Sequence, residues 1–305
     1  MIKPKKIIGF SSAFTIVELL VVIVVIGVLA AISVVSYNGI TKKANEAAVL
    51  SDLDNNSKKL ELFKAEDGLY PTSLDGNKCA TAKSGTKYCL KASGSNSLSY
   101  TQSNSGLDYS LYESNPSGAL IGRVESGFAP TTTIISLAVG DYYGGGRVAY
   151  ILQPGDPGYN ATVQHGLIVA LADQGNDVPW AKLDYQGSYV PNGTSIDFGS
   201  GAQNTANIIS QNGAGVDYAA GMAKSYNGGG YSDWYLPSRD ELGSICQNRS
   251  LINMLPENDT YYISSTESND WTYYLRTFSA DRCDVNTVGK DFPHRIFIVR
   301  SVRSF

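Results

Sequence analysis

The side chains best placed to do chemistry in this 305-residue chain are one acid, four cysteines and two histidines. Glu18 stands at the mouth of an apolar run. From Leu19 to Val35 every residue is apolar except Gly27 and Ser33, and no charge follows Glu18 until Lys42. A carboxylate in such surroundings is costly unless a cation meets it, so Glu18 needs a partner that the run itself does not supply. Cys79, Cys89, Cys246 and Cys283 fall two on each side of a Pro/Thr-rich stretch near position 130. In an exported chain the simplest pairing joins Cys79 to Cys89 and Cys246 to Cys283, with other connectivities, or free buried thiols, as the alternatives. No CxxC spacing points to zinc. His165 and His294 are too few and too scattered for a metal site or a nucleophilic triad, so each reads as a packing or hydrogen-bonding residue. Neither a metal nor a cofactor is expected.

The elements that must carry these groups begin at the N-terminus. Lys3, Lys5 and Lys6 are the charges of the first thirteen residues, and without them the net charge of -4 falls by three to -7. An acidic body argues against nucleic acid as a partner, because phosphate contacts need clustered Lys and Arg. The uncharged run approaches the ~20 residues that cross a hydrocarbon layer, and the lysines ahead of it predict a cytoplasmic N-terminus. A secretory signal cut near Ala30 or Ala31 and a plain single-span anchor are competing readings. Both leave Glu18 unexplained.

Past the apolar run, Ile40, Ala44, Ala47, Leu50, Leu53, Leu60 and Phe63 recur at spacings of three and four, with Ser57 in the one gap. That pattern predicts an amphipathic continuation of the same helix, stopped by Gly68 and Pro71. From Phe14 to Asp67 such a helix would run ~80 Å. Leu98 to Tyr100 and Leu107 to Tyr112 alternate around Asn104-Ser105-Gly106, a hairpin signal. With 31 Gly, 20 Tyr and only 17% charged residues, most of the remaining chain suits strands and tight turns. Residues 116–137 mix Pro, Gly, Ser and Thr and read as a linker or connecting strand.

The segment Ala13-Phe14-Thr15-Ile16-Val17-Glu18-Leu19-Leu20, followed by an apolar helix, resembles the signature of type IV pilins and pseudopilins. The resemblance implies cleavage by a prepilin peptidase between Ala13 and Phe14 and N-methylation of Phe14. Ala13 departs from the Gly usual before the cut, and Gly9-Phe10 is a poorer alternative because it puts no Glu at the fifth mature position. Processing would create a new cation, the Phe14 amine, which could meet Glu18 of a neighbouring subunit and set the register of a filament. Ala65 to Ser73 looks like the turn that ends the long helix in this family.

Further on, Gln164-His165-Gly166-Leu167-Ile168, Trp234-Tyr235-Leu236-Pro237-Ser238-Arg239-Asp240-Glu241-Leu242, Ser264-Ser265-Thr266-Glu267 and the closing Val299 to Phe305 follow one another in an order that is similar to the Lcl C-terminal domain family of bacterial surface proteins. That resemblance implies a fold like C-type lectins and formylglycine-generating enzymes over residues 138–305. Short helices are expected over Asn204–Ser210, Gly215–Tyr226 and Ser238–Gln247, the last opened by a Ser238/Glu241 capping box, and a strand over Arg295–Phe305. Arg300 and Arg303 read as partners of nearby acids.

The expected fold class is therefore α+β: a leader (1–13), a long pilin helix with a small antiparallel sheet (14–115), the connection (116–137) and a C-type-lectin-like α+β domain (138–305). Candidate ligand contacts in the last are Trp234, Tyr235 and Trp271, for which packing is the alternative reading. Gln153-Pro154-Gly155 lacks the side-chain oxygens of a calcium-lectin loop, and Cys246 with Cys283 is more simply structural than catalytic, so no enzyme is expected. The function this implies is a minor or tip subunit of a type IV pilus, anchored in the cytoplasmic membrane before assembly and extracellular after it, whose added domain adheres to a cell surface or glycan. A structural or secretion-system pseudopilin with a decorative domain and a DNA-uptake pilin are the alternatives. Its partners would be other pilin subunits, the prepilin peptidase and the inner membrane.

Overall fold

The computed structural model describes residues 16–83, 85–132, 136–256, 258–291 and 297–305, except for the side chains of 16–19, 22, 27–40 and 42. Its first element, α1, runs Ile16–Asp67, and the chain divides into one unit up to Ala48 and a second from Val49 to Phe305. In the first unit Leu20, Val21 and Ile23 to Ile26 present exposed apolar side chains. Among the described residues no helix is long and apolar enough to cross a membrane.

In the second unit the buried stripe of α1 is Val49, Leu53, Asn56, Leu60 and Phe63. Leu53, Leu60 and Phe63 are buried as expected, whereas Leu50 is 36% exposed and Val49 is buried in its place. The reason lies in the sheet above: Gly122 comes so close to Val49 and Leu53 that a Cβ there would collide with both. Asn56 is buried because its amide donates to the Lys91 carbonyl (2.7 Å) and accepts from the Lys91 N–H (2.9 Å), tying the helix to the loop before the sheet. Ser57, left over at the edge, accepts from the Tyr109 hydroxyl at 2.7 Å. Gly68, at φ +83°, turns the chain out of the helix and donates to the Lys64 carbonyl.

Strands β1 (Ser97–Ser103), β2 (Asp108–Ser114) and β3 (Leu120–Glu125) form an antiparallel sheet in that order. The β1–β2 turn falls at Asn104 to Gly106, where the hairpin signal placed it. Segment 116–137 is thus in part a strand of this small sheet. Two further sheets follow: β12-β6-β5-β4, from β4 (Tyr142–Tyr143), β5 (Gly146–Ile151), β6 (Gly166–Ala170) and β12 (Val302–Ser304), and β10-β9-β8-β11-β7, from β7 (Gly175–Asn176), β8 (Thr260–Glu267), β9 (Thr272–Phe278), β10 (Val285–Gly289) and β11 (Phe297–Val299). Only the β11–β8 pair in these sheets is parallel. Helices α2 (Gly201–Asn212), α3 (Ala219–Ser225) and α4 (Arg239–Gln247) lie between β7 and β8 in sequence and pack on the sheets, so the class is α+β.

Local chemistry explains the boundaries. Ser238 caps α4 by accepting from Glu241 N, while the Glu241 carboxyl returns to Ser238 N, a complete capping box. Helix α3 is shorter than expected because Tyr218 adopts an extended conformation at its start. The expected C-terminal strand is split at Arg300-Ser301, and its halves join different sheets. The split serves Arg300, which turns aside to meet Asp173 at 2.9 Å.

The small sheet is locked onto the rest of this unit by two backbone donors and one side-chain hydroxyl. Gly144 N donates to Ser99 Oγ (3.1 Å), Gly145 N to Thr101 Oγ1 (3.0 Å) and the Tyr231 hydroxyl to Ser99 Oγ (3.1 Å). Two glycine loops make the approach feasible. A Cβ on Gly145 (φ +83°) would lie 2.5 Å from the Gly228 carbonyl oxygen, and one on Gly230 (φ +79°) would strike the Leu74 carbonyl.

Candidate functional site

Ala13 and Phe14, expected to direct processing, lie outside the described residues. Glu18 sits near the start of α1, with its side chain outside the description. Both expected disulfides close, Cys79 with Cys89 and Cys246 with Cys283. The first staples a loop whose Cys89 carbonyl accepts from Lys59 of α1 (2.6 Å). Around the second, Arg249 donates to the Cys246 carbonyl (2.8 Å) and the Ala280 carbonyl (2.8 Å), tying α4 to the β9–β10 turn.

The three aromatic candidates part company. Trp234 is fully buried, donating from Nε1 to the Gly228 carbonyl (3.2 Å) and meeting Tyr226 edge-on. Tyr235, 5% exposed, pairs its backbone with Val302 and places its hydroxyl between Glu241 and Ser304. Trp234 is thus a packing residue, whereas Tyr235 lines a cavity with Thr205, Ile209 and Asp233; their Trp-Tyr-Leu segment is held by a backbone pairing that sequence alone does not show. Trp271 is 59% exposed. Its ring rests on Gly187, in a segment that also exposes Leu183 and Tyr189.

Charged groups are paired elsewhere in the unit. Arg303 meets Asp233 through Nε and Nη2, both at 2.8 Å, and stacks on Tyr231 at 3.9 Å. Burial raises the Asp233 carboxyl, but the Arg303 hydrogen bonds outweigh it and hold the group below the usual range. Asp173, beside Arg300, goes the other way because its burial dominates. Glu241 is buried and accepts from Ser238 N (2.8 Å) and Gly199 N (3.2 Å); loss of water pushes it up to about 7 against those bonds. Among the described residues no group of three or more His, Cys, Asp and Glu side chains is placed to hold a metal ion.

No family model matches the chain. Among curated proteins it is similar to type II secretion system core protein G: 35% identical over 65 residues to that of Aeromonas hydrophila, covering 21% of this chain and 46% of that protein. It is 40% identical over 63 residues to that of Klebsiella pneumoniae (21% and 45%), and 38% over 63 residues to that of Escherichia coli K12 (21% and 43%). The similarity falls in the N-terminal region. That region is pilin-like. The chain spans under half the length of each of these relatives, and the pilin-like segment is about a fifth of the chain itself.

Sequence reasoning reached Arg300, Arg303 and the capping Glu241, because each sits in a polar run next to apolar neighbours. It missed Lys290, a fully buried lysine on Glu267, and Lys78, which faces a cavity. Only a lone lysine after the short Val285–Gly289 strand could have pointed to the first, and nothing local marks the second.

Proposed function

We propose that the chain is a subunit of a type IV pilus or of a secretion-system pseudopilus, processed at Phe14 and inserted in the cytoplasmic membrane before it enters a filament outside the cell. The similarity of the N-terminal segment to type II secretion system core protein G carries this reading. The uncharged run after Glu18 supports membrane insertion, and two disulfides suit an oxidising, extracytoplasmic setting. In the assembled filament the Phe14 amine of one subunit meets Glu18 of another, so the pair works as a register key. Other pilin subunits, the prepilin peptidase and the inner membrane are the partners in this scheme.

The region after 138, resembling the C-type-lectin-like Lcl domain, mediates adhesion to a cell surface or glycan and is not an enzyme. The exposed Trp271 with Leu183 and Tyr189 supports this role, and the bulk of the head suits a minor or tip position. N-terminal sequencing with mass measurement, after expression alongside a prepilin peptidase, tests processing. A mature chain beginning at methylated Phe14 is expected; one beginning near residue 31 would overturn the filament reading. For adhesion, filaments carrying the chain should retain partner cells or a glycan on an array, and blank results in both leave a decorative domain. That second reading is favoured by the secretion-system character of the relatives.

A further inference from the structure

A cavity of about 480 Å³ opens where β1 of the small sheet faces Tyr143, Arg303 and Phe305. Its walls are apolar at Leu98, Leu120, Leu137 and Phe305, and no Asp or Glu side chain lines it. Two full cations do, Lys78 and Arg303. Arg303 is already satisfied by Asp233 and by the Gly144 carbonyl. Lys78 is not: among the described residues its Nζ has neither a hydrogen-bond acceptor nor an ion-pair partner, and it looks onto the Tyr231 ring 5.9 Å from the centroid. Half-buried, it has lost part of its hydration, and an anion would make up that loss. Burial and the nearby Arg303 hold this ammonium below its usual range, and Asp75 offsets them only in part. A second donor lines the same space. Ser99 Oγ accepts from Gly144 N and from the Tyr231 hydroxyl, which leaves its own O–H free to donate.

We propose that this cavity binds a small organic monoanion, a carboxylate on an apolar body, with Lys78 and Ser99 taking the carboxylate and the leucine and Phe305 walls taking the body. The single unsatisfied positive charge selects against a dianion such as a phosphate monoester, whose second charge would be buried without a counterpart. The size lies within the ~300–1,000 Å³ typical of small-molecule sites. Because the walls come from both the small sheet and the strands after position 138, the site exists only where the two are packed together.

The test uses the full-length protein in detergent with phenylacetate and its uncharged counterpart phenylacetamide as probes, read by saturation-transfer NMR titration against detergent alone. Phenylacetate should bind, and phenylacetamide should bind at least about tenfold more weakly, as expected for loss of one charge-assisted hydrogen bond. Lys78→Met, which keeps the length of the side chain, should weaken phenylacetate by the same factor. Val163→Trp, which fills the mouth from a half-exposed position, should weaken both probes. Thermal unfolding confirms that each variant is folded. Absence of phenylacetate binding, equal binding of the amide, or binding indifferent to both substitutions would overturn the proposal.

Discussion

Lys290 Nζ stands 3.4 Å from Glu267 Oε1, with the lysine fully buried and the acid nearly so. The pair is completed on both sides by backbone. Lys290 donates to the Ser188 carbonyl at 2.8 Å, and Glu267 accepts from Val190 N at 3.0 Å, so two charges pin the loop that carries Gly187 and Tyr189 beneath Trp271. Burial lowers the lysine's pKa, and Glu267 opposes that shift. Removing one partner strands the other. Lys290→Met should cost about 3–5 kcal/mol in urea unfolding, and Lys290→Met with Glu267→Gln should cost clearly less than the sum of the two single changes.

The two disulfides close loops of different length, spanning 10 residues for Cys79–Cys89 and 37 for Cys246–Cys283. If they act mainly by restricting the unfolded chain, replacing Cys246 and Cys283 with Ser should cost about 4 kcal/mol and replacing Cys79 and Cys89 about 3 kcal/mol. Calorimetry of the two double variants measures the order; a larger loss at the short loop would mean that native packing around Lys59 and Cys89 dominates.

How much of this was legible beforehand follows from the range of each interaction. The helix, the hairpin at Asn104 to Gly106 and the α4 cap rest on contacts within a few residues, and their signals sit in the local pattern. The burial of Val49 in place of Leu50 on α1 was not legible because it depends on Gly122, more than seventy positions away in the chain, and both residues look unremarkable in isolation. Trp234 and Tyr235 illustrate the same limit. An aromatic pair beside charged residues looks like a binding patch, yet Trp234 is fully buried and only Tyr235 reaches a cavity. Lys78 was hidden for a third reason, since its cavity needs walls from both halves of the unit.

Gly230 approaches the Leu74 carbonyl so closely that any side chain would collide with backbone, and its φ of +79° disfavours one anyway. Gly230→Ala should therefore loosen the small sheet from the strands after 138, destabilising by about 1–3 kcal/mol. Limited proteolysis is the direct readout. Faster cleavage between positions 126 and 140 is expected in the variant, whereas an unchanged pattern would mean that Gly144, Gly145 and Ser99 hold the junction by themselves.

Glu241 supplies a pH dependence whose sign can be worked out. An ordinary glutamate titrates near 4.5, and burial raises this one to about 7 in the folded protein. Between those values the unfolded chain has lost its proton at this site while the folded chain keeps it. The group's contribution to stability is therefore fully present below pH 4.5 and is lost as the pH rises through 7, with a slope of about 1.4 kcal/mol per pH unit inside the window. Glu241→Gln removes the titration and also one of the two acceptors used by Ser238 N and Gly199 N, so the variant should be weaker than the natural protein at pH 5. The gap should then narrow toward pH 7, because only the natural protein pays for an unwilling buried charge. Urea midpoints for both proteins from pH 5 to 8 measure it, and a gap that stayed constant would show that Glu241 is ionised in the fold throughout, held by its two backbone donors.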